Sequence, residues 1–215
     1  MRVAVVTEVS TARRNTDVLA ALEGRGLEVL NVGMQHDGPD QPELTYIQTG
    51  LLAALMVNSG RADLVIGGCG TGQGFQISVS QYPGITCGHL LTPLDAWLFT
   101  RINAGNCVSL ALNQGYGWGS DVNLGLIFDQ LFPGEQGAGY PEHRRESQER
   151  SRSLIRDINT ACHRSMADII RVIDDVVLMP VLTYPGVLDV LDLSSMEDRE
   201  LAAAMSARLP DQPVR

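Results

Sequence analysis

Five short apolar runs, each leading through a turn into a segment with helical spacing, constrain this chain more than any other feature. The runs cover residues 2–7, 27–32, 64–68, 85–90 and 107–112, and helices are predicted over 11–22, 42–58, 75–81, 93–103 and 122–132. Strands alternating with helices of roughly 10 to 15 residues form parallel β-α-β units with right-handed crossovers. The pattern predicts an α/β fold: a Rossmann-like, doubly wound, five-stranded parallel sheet over residues 1–140, with the third strand near its centre. Residues 141–215 break the alternation and are expected to form a mainly helical extension. In it an arginine-rich lead from Glu142 enters a helix running to about Val176, and Ser194-Ser195 caps a last helix, Met196–Arg208. The extension is expected to cover the domain or to join subunits.

Open parallel sheets bind ligands beyond the carboxyl ends of their strands. After the third strand comes Gly67-Gly68-Cys69-Gly70-Thr71-Gly72-Gln73-Gly74, five glycines in eight residues, which lets the backbone turn sharply and bring amides close to a bound group. A free cysteine usually only packs. A thiol beside free amides and a helix start is also a usable proton acceptor or nucleophile, and the same amides can hold a developing oxyanion. Thr71 either donates to a substrate oxygen or caps the helix that follows. His89, near the end of the fourth strand, either faces the ligand edge or packs. Arg144 and Arg145, with Arg150 and Arg152, form the dense basic patch available to a phosphate. Cys87, Cys107 and Cys162 have no such surroundings.

Composition removes several chemistries. All 16 basic side chains are arginine, so neither Schiff-base lysine chemistry nor a phosphate-loop lysine is available. Counting from Gly68 or from Gly70, the sixth residue is Gln73 or Phe75, so the dinucleotide glycine fingerprint fails. A net charge of -9 argues against non-specific nucleic-acid or anionic-membrane binding. The four cysteines are widely spaced with no Cys-x-x-Cys pair, which suggests neither a disulfide framework nor a zinc site. Without a signal-like start or a membrane-length apolar run, a soluble cytoplasmic protein is expected.

The chain resembles the family of ribose-5-phosphate isomerase B and the galactose-6-phosphate isomerase subunits over about residues 1–145. Cys69-Gly70-Thr71-Gly72-Gln73-Gly74 is similar to the family's Cys-Gly-Thr-Gly-x-Gly loop, Pro83-Gly84-Ile85 follows at the family's spacing, and Asn103-Ala104-Gly105-Asn106 fits its His-Asn-Asp-Ala-Asn segment. The resemblance implies an aldose–ketose isomerase, an intramolecular oxidoreductase of carbohydrate and pentose phosphate metabolism. In the implied mechanism Cys69 moves a proton between C1 and C2 of a sugar phosphate. The backbone of Gly70, Gly72 and Gly74 holds the enediolate, and Thr71 and Asn103 bind sugar oxygens. It also implies no metal or organic cofactor, and a homodimer or homotetramer with sites at subunit interfaces. Glu8-Val9 stand where the family has Asp-His, which places Glu8 among the substrate-binding residues. Ile102 replaces the ring-opening histidine and Ala104 an aspartate. Glu142-His143-Arg144-Arg145 match loosely the family's Arg-His-x-x-Arg phosphate clamp. Two functions follow: an isomerase, or a non-catalytic sugar- or anion-binding relative or partner subunit. His89 or an arginine facing Cys69 would favour catalysis, and an apolar-walled cleft with Cys69 buried the second.

Overall fold

A computed structural model describes residues 1–38 and 41–210. Five parallel strands, β1 (Arg2–Val6), β2 (Glu28–Asn31), β3 (Leu64–Cys69), β4 (Cys87–Leu90) and β5 (Cys107–Ala111), lie in the order β2-β1-β3-β5-β4. The third strand is the middle one. Alternation along β1 sends Val3 and Val5 to one face and Ala4 and Val6 to the other, and each set enters a different hydrophobic cluster. Two layers of helix therefore cover a sheet buried on both faces. Helices α1 (Asn15–Leu22), α4 (Pro93–Leu98) and α5 (Ser120–Leu131) cover the first face. Helices α2 (Tyr46–Asn58) and α3 (Gln73–Val79) cover the second.

The extension follows as α6 (Arg145–Cys162), α7 (Met166–Val172), α8 (Asp175–Leu182), α9 (Val187–Leu191) and α10 (Arg199–Arg208). Its apolar residues, Ile170, Leu178, Val181, Val187 and Leu201 among them, are buried in the same cluster as α2. This explains why α2 has eight consecutive buried residues, Thr49 to Met56: it is apolar all round because it is enclosed between the sheet and α8. Arg61 ties the layers together by donating to the carbonyls of Leu191 and Asp192 at 2.9 Å each.

Local chemistry moves several expected boundaries. The helix predicted from Pro42 begins at Tyr46, because Thr45 and Gln48 form a reciprocal capping box that outcompetes proline's preference for a first turn. The long helix predicted to Val176 is three helices. Ser165 accepts from the Asp168 amide at 3.1 Å and Asp174 from the Val176 amide at 2.9 Å, each opening a new helix. The last helix is capped by Asp198 through the Leu201 amide at 2.9 Å, while Ser195 bonds Asp192 and Arg61 instead. The turn-rich loop expected over 33–41 has residues 39–40, and the extension its last five, outside the described residues.

Candidate active site

The glycines around Cys69 do two different jobs. Gly67 and Gly68 lie within β3, where a side chain has no room: a Cβ on Gly67 would sit 2.1 Å from the Phe75 ring, and one on Gly68 2.3 Å from the Leu110 carbonyl oxygen. They seat α3 and β5 against the strand rather than offering amides to a ligand. Gly72, with φ of +76°, makes the left-handed turn that starts α3. The loop is fastened to the β5 side by four hydrogen bonds. The Leu112 amide donates to the Cys69 carbonyl (3.1 Å), those of Asn113 and Gln114 to the Gly70 carbonyl (3.0 and 2.8 Å), and the Ser109 hydroxyl to the Gly72 carbonyl (2.5 Å). With its carbonyls thus occupied on the sheet side, the loop keeps the amides of Gly70 and Thr71 without an acceptor among the described residues.

Cys69 ends β3 with 6% of its surface exposed, at the base of a cleft of about 430 Å³ lined by Glu8, Ser10, Tyr46, Thr71 and the loop glycines. Its Sγ lies 4.0 Å from the Thr71 hydroxyl oxygen, which itself accepts from the Gln73 amide at 3.3 Å. Both uses of Thr71 are thus compatible: it supports the start of α3 and presents its hydroxyl to the cleft. Glu8 follows β1 and is 3% exposed. Its carboxylate accepts from the Ser10 amide at 3.1 Å, from the Ser10 hydroxyl, and from the Thr11 hydroxyl at 3.4 Å. Asn113 holds the Ser10 carbonyl at 2.8 Å, pinning this turn to the loop after β5.

The remaining expected residues lie elsewhere. His89 stands in β4 opposite Ser109, and its Nε2 is buried with no partner against Gly72, where a Cβ would be 2.5 Å away. It supports the loop from behind and does not line the cleft. Among the described residues no cationic side chain lines the cleft either, so neither group expected to mark catalysis faces the buried Cys69 within one chain. Asn103 is on the other side of the sheet. It precedes β5, whereas Cys69 follows β3, so in a parallel sheet the two occupy opposite edges. It ends a π-helical turn, Phe99–Asn103, after which Ala104 adopts a left-handed conformation at φ +46°. A non-glycine residue held there costs about 1 kcal/mol or more, a strain that recurs at functional positions.

Asn103 lines a cavity of about 130 Å³ with Arg152 and Arg156, which adjoins one of about 470 Å³ holding Arg156, His163 and Arg164. Arg152 is anchored to the carbonyls of Ile102 at 2.9 Å and Gly137 at 3.3 Å. The Arg156 carbonyl accepts from the Thr160 hydroxyl at 3.0 Å, while its guanidinium has no hydrogen-bond or ion-pair partner among the described residues. Arg144 bonds Ser147 at 3.2 Å and Arg145 pairs with Glu135; both are exposed and line neither the cleft nor this groove. Ser10, Tyr46, Ser109 and Arg156 are site residues that the motifs did not single out. Ser109 had a readable signal, a hydroxyl inside the apolar run Cys-Val-Ser-Leu-Ala, since buried polar groups need partners. Among the described residues no cluster of three His, Cys, Asp or Glu side chains is placed to hold a metal, and no helix is long and apolar enough to cross a membrane.

The family described as Ribose/Galactose Isomerase matches residues 3–119. Among solved structures, a 4-deoxy-L-threo-5-hexosulose-uronate ketol-isomerase complexed with a tartrate is 33% identical, with a TM-score of 0.90 over 96% of this chain and 98% of that one. A ribose-5-phosphate isomerase from Vibrio parahaemolyticus is also 33% identical, with a TM-score of 0.91 over 97% and 99%. Ribose-5-phosphate isomerase B from Clostridium thermocellum, 22% identical with a TM-score of 0.62, covers 76% of this chain and shares the fold. No curated protein sequence matches. The two full-length relatives thus extend through the C-terminal helices, and the chain belongs to the ribose/galactose isomerase family as an aldose–ketose isomerase.

Proposed function

We propose that the chain interconverts an aldose and a ketose carrying an anionic group, a sugar phosphate in the first reading, with Cys69 as the base that carries the proton between C1 and C2. The observation that supports it most is the position of the thiol: it ends the central strand, at the base of an open cleft, beside two amides free to take up the charge of an enediolate. Thr71 contacts a sugar oxygen from the same side. Among the described residues the cleft has hydroxyls and a carboxylate but no cation, so the anionic end of the substrate must be gripped from elsewhere. A second copy of the chain, presenting Asn103 and Arg156 to the cleft, supplies what one copy lacks, in keeping with the interface sites implied by the family. Arg144 and Arg145 are assigned to the rim of that interface.

A second reading concerns the substrate. A uronate carries its charge as a carboxylate, and one of the two full-length relatives is a uronate ketol-isomerase. Ile102 in place of a ring-opening histidine suits a substrate that is already open-chain. Solvent deuterium uptake at C2, followed by NMR, distinguishes the readings with ribose 5-phosphate, galactose 6-phosphate and 4-deoxy-L-threo-5-hexosulose uronate as probes. Cys69→Ala is expected to abolish uptake while leaving binding within about tenfold, because removal of a base acts on the transition state. Uptake that survives the substitution contradicts the assignment of the base.

A further inference from the structure

Isomerisation through an enediolate moves two protons: one between carbons and one between oxygens. Cys69 can serve the carbons, but the hydroxyl at C2 must also lose its proton and the oxygen at C1 must gain one. The cleft offers few groups for that second transfer. His89 is sealed behind Gly72. Tyr46 packs its ring on Gly74, where a Cβ would come within 3.2 Å, and Thr71, which accepts from the Gln73 amide, has no carboxylate among the described residues to receive its own proton. Glu8 is the one carboxylate lining the cleft among the described residues, and it is buried, with the Ser10 hydroxyl donating to it. Ser10 is exposed to the cleft, and its Oγ lies 3.6 Å from where a Cβ on Gly70 would stand, directly beside the loop that holds the thiol.

Resting on the isomerase reading, we infer that Ser10 and Glu8 form a second proton carrier dedicated to the substrate oxygens. The thiolate of Cys69 takes the C2 proton, leaving the enediolate's charge on O1; the O2–H proton then passes to Ser10 Oγ while the Ser10 proton passes to the Glu8 carboxylate. The same pair then returns a proton to O1 as the Cys69 thiol protonates C1. The C2–H and O2–H bonds break and the C1–H and O1–H bonds form. C2 is oxidised and C1 reduced within one molecule, and all three side chains end as they began. Ser10 touches the reacting oxygen; Glu8 acts through it.

The two carriers separate in heavy water, with ribose 5-phosphate and 4-deoxy-L-threo-5-hexosulose uronate as the probes. Without the oxygen relay, Cys69 still takes the C2 proton, exchanges it with solvent and returns a deuteron to C2, but the enediolate does not go on to product. Ser10→Ala and Glu8→Gln are expected to lower conversion by about a hundredfold, the range of general acid–base catalysis. Labelling of the recovered aldose should fall far less, so the ratio of exchange to conversion rises at least about tenfold. Ser10→Thr, which keeps the hydroxyl, should restore part of the conversion. Glu8 also caps the turn at Val9–Arg14, so if Glu8→Gln unfolds, Ser10→Ala, at an exposed position, is the variant that decides. Exchange and conversion falling in parallel in Ser10→Ala, or conversion left unchanged, overturns the relay. Exchange persisting in Cys69→Ala removes instead the assignment of the base beneath the relay, and no turnover of either probe by the wild type removes the proposed substrates.

Discussion

At the carboxyl edge of the sheet a thiol, a buried carboxylate and several hydroxyls surround a glycine loop, and among the described residues no cationic side chain lines their cleft. At the amino edge Asn103, Arg152, Arg156 and Arg164 line adjoining cavities that contain no thiol and no carboxylate among the described residues. The five residues of β5 between these edges span about 16 Å, beyond the reach of one small sugar. On the proposed reading each edge supplies half of what an anionic aldose requires: one moves protons, the other offers charge. If the two edges meet between two copies, as proposed, oligomerisation is a condition of activity.

Substitutions on the two edges, and in the layer behind them, should therefore fail in different ways. Beyond Cys69 and the Ser10–Glu8 pair, the largest effect is expected at Gly72→Ala. The left-handed backbone there costs an ordinary residue about 1–2 kcal/mol, and the new Cβ would meet the His89 ring at 2.5 Å, so the loop must shift. Turnover should drop by about a hundredfold, the scale on which displacement of catalytic groups by an ångström acts. Adding His89→Ala to the same chain should recover part of it by making room; steady-state kinetics of the single and double variants test this.

Arg156→Ala comes next. Loss of a charge-assisted hydrogen bond, about 1.5–3 kcal/mol, should raise KM roughly 10- to 150-fold with thermal unfolding unchanged, since the Arg156 guanidinium is exposed and has no partner among the described residues. An equal change in Arg144→Ala would relocate the grip to the exposed lead of α6. Leu178→Ala should affect activity least. It opens a cavity between α8 and α2 and costs about 2–5 kcal/mol of stability, seen in denaturant unfolding, while kcat of the folded fraction stays near that of wild type.

Much of this architecture is legible in the amino-acid order alone, and the failures are instructive. Alternation of period and the break after Ser59-Gly60 are enough to place β3 in the sheet and Cys69 at its carboxyl end. Asn103, which the resemblance set beside Thr71 on the sugar, is placed at the opposite edge only by the structure, because it precedes β5 while Cys69 ends β3. The C-terminal helices are less legible. Ser165-Met166-Ala167-Asp168 and Asp174 carry ordinary capping signals, yet the apolar residues around them read as one continuous helix. Which signal wins depends on α2, whose enclosed surface α7 to α10 must wrap, and that surface is far away in sequence. Ser10 is illegible for a different reason. Its chemistry comes from the Glu8 carboxylate turning inward to meet it, a side-chain orientation that no spacing encodes.

The division of labour between the two edges is tested most directly by mixing two inactive variants. Cys69→Ala lacks the base; Asn103→Ala combined with Arg156→Ala lacks the grip. If the site is built from two copies, unfolding the two preparations together and refolding them yields mixed dimers in which one site carries every substitution and the other none. With random pairing in a two-fold dimer, activity should return to about a quarter of the wild-type level for the same total protein. Activity that stays at the level of the separate variants would contradict a site shared between copies, and would place the base and the anion grip within one chain.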